Sequence, residues 1–277
     1  MPLTAHLEEL RTRLIRIMIG AFIGFGVCYG FSEHLVAFLT EPLTALAPQD
    51  AIVIGTGVTD AFFTKLKVSF IGGIFVASPW VFFQLWAFVA PGMYEKEKRI
   101  ALPFSFAATV FFVAGAAFCY QLVLPVAFSF FLNEFGSVGI APQIRITEYL
   151  TFVSRMLLAF GVTFELPVVT FFLARIGLVT HQTLIAYTRY AIVAIFIVAA
   201  LLTPGPDIAS QLLMATPLLV LYGLSIGVAY VFGKPRPPES ESDEEDDEDD
   251  PDDDRDEDDD EQDESDDDEP RGVAPAR

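Results

Sequence analysis

The sequence predicts an all-α integral membrane protein with six transmembrane helices. Three observations carry that expectation. Hydrophobic residues fill 53% of the 277 positions and the mean hydropathy is +0.47, too apolar for an ordinary soluble domain. Six apolar runs read as membrane-crossing helices, five of them at or beyond the ~20 residues that a span takes. The charge is also segregated. Residues 239–269 hold 25 of the 37 acidic side chains and one of the 17 basic ones, so a near-neutral body lies behind the formal charge of −20. The expected organisation is a six-helix membrane domain over 1–234 and a disordered acidic tail over 235–277. This composition argues against a soluble enzyme, a nucleic-acid binder and a disulfide-stapled secreted domain.

At the start of the chain, Leu3, Leu7, Leu10 and Leu14 recur at three- and four-residue steps, the period of an amphipathic helix. That helix runs into a first span at about 15–38, which ends in a weakly polar stretch around Ser32 and His34. The second span covers about 68–89. The third, about 100–132, is long enough to tilt or protrude. The fourth covers about 149–173. The fifth, about 187–202, is short, with ~16 residues or ~24 Å of helix, and is expected to thin the bilayer locally. Only TPGPD separates it from the sixth, about 208–232. Pro79, Pro103, Pro125, Pro167 and Pro217 lie in or near spans. Each removes a backbone donor and is expected to bend its helix.

An even number of spans puts both ends of the domain on one side. With that side inside, the inner segments carry Arg11, Arg13, Arg16, Lys96, Lys98, Arg99, Arg175, Arg189, Lys234 and Arg236. The outer segments carry only Lys65, Lys67 and Arg145. The positive-inside rule therefore predicts cytoplasmic termini. The tail cannot bury apolar surface and reads as disordered. It is either a solvating extension suited to a high-salt cytoplasm or a docking site for a basic partner.

Several polar residues stand out against this background. Glu9 and Arg13 are an i,i+4 pair, suited to a helix-stabilising ion pair. In FVAPGMYEKEKRI, Glu95 and Glu97 either match the positive end of the third helix or, with Glu8 and Glu9, form an anionic site. Such a site suits a guanidinium ligand, which pairs with carboxylates through a planar fork. Glu165 lies in mid-span in FGVTFELPVV. A carboxyl there is costly and marks a cavity or a partner, unless it is protonated and bonded to a neighbouring helix. Arg155 lies ~15 Å away along the same helix, too far to pair with it. Asp207, Ser210 and Gln211 give the last helix a polar start, with Asp207 suited to its N-cap. Cys28 and Cys119 sit in apolar runs as small hydrophobes. The three histidines are dispersed, and no metal, phosphate or dinucleotide motif is present, so no cofactor is expected.

Four segments carry a family resemblance: HLEELRTRL (6–14), FVAPGMYEKEKR (88–99), FGVTFELPV (160–168) and LLTPGPDIASQ (201–211). In that order they closely resemble the signature segments of TatC, the multispanning receptor of the twin-arginine protein translocase. The resemblance covers residues 3–232, and with the acidic tail it looks like a haloarchaeal version. It implies a glove-shaped, six-helix protein of the cell membrane that is not an enzyme. It implies binding of Arg-Arg signal peptides on folded precursors, recruitment of TatA-type single-span subunits, and export driven by the proton gradient from a complex holding several copies of the chain. By resemblance the signal-peptide site falls on Glu9 and Glu97, with Arg11 and Phe88 nearby. The intramembrane polar residue falls on Glu165. Partner docking falls on Thr203 and Gln211, with Asp207 beside them and Pro42 in the outer cap. Gly205 is an insertion relative to the more usual TPPD turn, and Lys98 stands where arginine is often seen. Two other readings remain: a transporter of a small cation coupled through Glu165, for which no inverted repeat is found, and an assembly scaffold without a receptor role.

Overall fold

The computed structural model describes residues 3–46, 52–89, 101–138, 142–203 and 208–233. By its contacts the chain divides into Met1–Arg236 and Pro237–Arg277, and all the described residues lie in the first unit. Eight α-helices are described: α1 Leu3–Gly30, α2 Ser32–Leu46, α3 Asp60–Val89, α4 Ala101–Phe118, α5 Leu124–Val138, α6 Ile146–Arg175, α7 His181–Leu202 and α8 Ile208–Phe232. A π turn, Cys119–Val123, joins α4 to α5, so these two form one membrane-length segment. Six segments are thus long and apolar enough to cross a membrane. Large apolar side chains stay exposed on their outer faces, among them Phe22, Ile23, Phe106, Val162, Ile197 and Val220. In water such a surface would be untenable, whereas a helix with its backbone bonds closed can present it to lipid.

The first span differs from its expected limits. The amphipathic stretch and the span are one straight-through helix, α1, which stops at Gly30. The chain turns at Phe31, whose N–H donates to the Cys28 carbonyl, and restarts as α2, with Glu33 in its first turn. The apolar residues taken as the end of span one, Leu35 to Phe38, belong to this separate helix. The fifth span is not short. Thr180 caps α7 by accepting from the Thr183 N–H at 3.2 Å, so the helix starts six residues earlier than expected. Its 22 residues reach ~33 Å, and no bilayer thinning is required. Pro103 lies in the first turn of α4, where a missing N–H breaks no helical bond. Its expected bend has no cause there, while Pro79, Pro167 and Pro217 are interior to their helices.

Helix α6 is the hub. It packs against α4 and α8, and touches α2, α3 and α7. Its Leu150, Val153, Met156 and Phe160 are buried together with Leu43 of α2, Val68 of α3, and Met214 and Leu218 of α8. A smaller aromatic cluster lies toward the other end, where Trp86 of α3 meets Phe104 of α4 at 4.2 Å and Phe172 of α6 at 4.6 Å between ring centroids. Helix α6 ends in a Schellman turn. Gly177 has φ +83°, its N–H donates to Ala174, and Leu178 N–H donates to the Leu173 carbonyl at 2.9 Å. Glycine takes that left-handed conformation without the Cβ penalty.

Helices α1 and α3 run antiparallel and pack very closely. A Cβ added to Gly24 would stand 2.5 Å from the Gly73 carbonyl oxygen. This is backbone on backbone, the approach that small residues permit between membrane helices. At the α2 end, two three-residue strands, β1 Ile52–Ile54 and β2 Gln143–Arg145, pair in parallel with Ile52 opposite Gln143. The three cations expected in the outer segments are all held there. Lys65 pairs with Glu33 at 2.7 Å, Lys67 donates to Thr151 Oγ1 at 2.8 Å, and Arg145 pairs with Glu148 at 2.9 Å.

Helix α2 is fixed by an unusual pair of contacts. Pro42 lies inside it, so the Phe38 carbonyl, one turn back, lacks its helical donor. Tyr120, in the π turn, donates its hydroxyl to that carbonyl at 2.8 Å, and its ring stacks on Phe38 at 4.5 Å. Tyr149 of α6 donates to the next carbonyl, Leu39, also at 2.8 Å. The proline frees the Phe38 acceptor, and two tyrosines from different spans take that carbonyl and the next one.

Candidate functional site

The N-terminal end of α1 carries the expected acidic site. Its helical spacing places Glu9 one turn before Arg13. Arg13 Nε and Nη2 both donate to Glu9 Oε1, at 3.0 and 2.8 Å. Arg13 Nη1 reaches across to α3 and donates to Gln84 Oε1 at 3.2 Å. Gln84 is 2% exposed, while the side chains of Arg13 and Glu9 are 20% and 27% exposed. The ion pair expected from i,i+4 spacing therefore forms, and it is also an inter-helix tie. The next turn of α1 adds a second tie, from Trp80 Nε1 to the Arg16 carbonyl at 3.0 Å.

The surface above this tie is a shallow pocket of about 390 Å³ lined by Glu8, Glu9, Thr12, Arg13 and Arg16. It carries two carboxylates followed along α1 by two guanidiniums, so it favours a ligand with matched charges rather than a bare ion. The antiparallel register that sets Arg13 beside Gln84 and Gly24 beside Gly73, carried one turn further, brings Phe88 level with Glu9. Phe88 is half-buried there and engaged in its own contact. Arg11 is exposed on the flank of α1, outside the pocket lining. Glu97 lies outside the described residues.

Glu165 sits on α6 between Phe164 and Leu166, half-buried. Its Oε1 is buried and has no hydrogen-bond partner among the described residues. Arg155 is exposed and forms no ion pair with it. The carboxyl thus stands in the span without the neighbouring-helix bond that a purely structural role would supply.

Of the expected docking residues, two lie on either side of the α7–α8 joint. Thr203 is the C-cap of α7, with its N–H on the Ala199 carbonyl at 3.0 Å. Gln211 of α8 donates Nε2 to the Phe196 carbonyl of α7 at 3.0 Å. Asp207 lies outside the described residues. Pro42 is elsewhere, buried in α2, a helix that packs against α3, α5 and α6. Only 6% of the α7 span is buried within the protein, so this helix offers most of its length to lipid or to another helix. No group of three or more metal-ligating side chains is found among the described residues.

Sequence reasoning did not single out Gln84, Tyr120 or Tyr149. For Gln84 a signal existed: a lone amide inside WVFFQLWAF raises the same question as Glu165. For the tyrosines none existed, because their partners are main-chain carbonyls some 80 and 110 positions away in sequence.

Six lipid-facing helices with a charged site at one end define a multi-pass membrane protein. Comparison with known proteins identifies the family. The profile of "Sec-independent protein translocase protein (TatC)" matches residues 5–217, and the chain belongs to this family. It is 47% identical over 240 residues to the TatC protein of Desulforapulum autotrophicum, covering 87% of this chain and 88% of that one. It is 41% identical over 243 residues to that of Campylobacter jejuni, covering 87% and 98%. The crystal structure of a twin-arginine translocase receptor TatC superposes with a TM-score of 0.75 at 35% identity, covering 81% of this chain and 97% of the other. The chain is accordingly a core subunit of the twin-arginine translocation system, a transport protein and not an enzyme.

Proposed function

We propose that this subunit is the cytoplasmic receptor for Arg-Arg signal peptides of folded precursors. The observation that carries the reading is the carboxylate of Glu9, held at the N-terminal end by Arg13 and Gln84 beside a charged surface pocket. Both termini are cytoplasmic, in keeping with ten basic residues on the inner segments against three on the outer and the positive-inside rule. Glu97 supplies the second acceptor from the segment of chain between α3 and α4. Phe88 covers the ligand's apolar side, and Arg11 sets the surrounding field.

TatA-type single-span subunits dock at the α7–α8 joint, where Thr203, Gln211 and Asp207 give a polar patch beside a helix that the rest of the protein leaves largely uncovered. Pro42 acts indirectly, by shaping α2. Export is driven by the proton gradient, and several copies of the chain assemble in the complex. The membrane domain spans 1–234, and the acidic stretch 235–277 is a solvating tail with no anchoring role.

The test is a titration of the purified full chain with an Arg-Arg peptide and its Lys-Lys counterpart. Lysine presents a point charge instead of a planar fork. The Arg-Arg peptide should bind more tightly, and Glu9→Ala and Glu97→Ala should each weaken it about tenfold, equivalent to ~1.4 kcal/mol. Unchanged affinity in both variants, with the protein still monodisperse, would put the receptor site elsewhere.

A further inference from the structure

We propose that Arg13 and Gln84 are positioning residues for signal-peptide recognition: they hold the Glu9 carboxylate so that one oxygen is committed to the protein and the other is offered to the ligand. The proposal rests on the receptor reading of Glu9 and deepens it.

The geometry of the ion pair is the starting point. An arginine facing a carboxylate commonly forms a fork, two parallel bonds to two oxygens. That arrangement would leave Glu9 with little to offer an incoming guanidinium. Here the two donors converge instead. Nε at 3.0 Å and Nη2 at 2.8 Å both fall on Oε1, and no described residue donates to Oε2. The reason lies in α3. Arg13 Nη1 is drawn to Gln84 Oε1 at 3.2 Å, and this third bond turns the planar guanidinium so that its remaining edge meets only one carboxylate oxygen. Gln84 is almost fully buried, and the adjoining Trp86–Phe104–Phe172 cluster locks this end of α3. The anchor is therefore rigid, and the rigidity passes through Arg13 to Glu9.

The ligand gains in two ways. Its guanidinium meets a single preset oxygen, so its direction of approach is fixed by the protein rather than chosen on binding. The ordering of the Glu9 side chain is also complete before the peptide arrives, which lowers the entropy lost on association. Arg13 does not compete for the ligand-facing oxygen. It is a cation beside a site for cations that assists them, because its charge is already balanced by Glu9.

The experiment uses the full chain in detergent, with the Arg-Arg peptide and its Lys-Lys counterpart as probes. Gln84→Met keeps the side-chain length and removes the acceptor. Gln84→Glu restores an acceptor for Nη1. Arg13→Lys keeps the charge but cannot bond Glu9 and Gln84 together. Gln84→Met and Arg13→Lys should weaken Arg-Arg binding about fivefold or more, the size of one typical net hydrogen bond, and should shrink the Arg-Arg to Lys-Lys preference. Gln84→Glu should bind within about twofold of the parent, since its Nη1 bond is kept. A general packing defect would lower both peptides equally, would not be rescued by Glu, and would overturn the positioning role. Unchanged or tighter Arg-Arg binding in Gln84→Met and Arg13→Lys, while Glu9→Ala weakens it, would also overturn the positioning role and leave the receptor reading intact. Unchanged binding in Glu9→Ala would overturn both.

Discussion

Replacing Tyr149 with phenylalanine should loosen α2 from the bundle. The change deletes one oxygen and keeps the ring, so packing against Phe128, 5.0 Å away between centroids, survives. What is lost is the 2.8 Å bond to the Leu39 carbonyl, in a setting where the tyrosine is 5% exposed and Leu39 is 7% exposed. Water cannot easily replace the donor there, so the loss should approach the penalty for an unsatisfied buried group, ~1–3 kcal/mol. Tyr120→Phe removes an equally short bond from a hydroxyl at a more open position. Solvent can take over, and a loss of ~0.5–1.5 kcal/mol is expected. Thermal unfolding of the two variants in the same detergent measures the order. At this chain length ~1 kcal/mol corresponds to roughly 2–4 °C. Tyr149→Phe should fall further than Tyr120→Phe, and a cysteine pair bridging α2 and α6 should crosslink less in the first. If both variants melt with the parent, the carbonyls beside Pro42 do not need these hydroxyls and α2 is held by apolar packing alone.

Two further outcomes are expected. Gly24→Leu should separate α1 from α3, because its side chain would meet the backbone of Gly73 rather than a side chain that can turn away. A loss of ~1–3 kcal/mol or more is expected, while Gly26→Ala, with nothing within 4 Å of the new atom, should melt with the parent. Glu165→Gln should fold normally and slow export of an Arg-Arg precursor into inverted membrane vesicles, and Glu165→Ala should slow it more. Wild-type export by Glu165→Ala would mean that the carboxyl takes no part in transport.

The spans were legible in the sequence because length and apolarity decide them, and both are local properties. The termini of the spans were not. An apolar run records what a residue faces, not where the helix axis breaks, so Leu35 and Phe38 read as a continuation of α1 although they lie on α2. The start of α7 was missed because it is set by one hydroxyl, that of Thr180, rather than by hydropathy. The two strands were invisible, since three residues give no period and the partner lies about ninety positions away. At the site, the Glu9–Arg13 pair was legible from helical spacing. Its third member was not, because the contact between Arg13 and Gln84 depends on the antiparallel register of two helices, and that register is set by Gly24 and Gly73.

The π turn at Cys119–Val123 also constrains how this protein can change. A π turn holds one residue more than the α-helical stretch it replaces, and the extra residue is taken up in the widened turn, so the halves of the span keep the phase of a continuous helix. Removing one residue from the turn would let it rewind as α-helix and leave Leu124, Ala127 and Phe128 facing the core they now fill. The loss would fall on Tyr120, whose line to α2 depends on the widened turn. The same deletion in the regular part of the span would instead rotate everything beyond it by ~100°. This is the place in the bundle where a one-residue length change has already been absorbed into the fold.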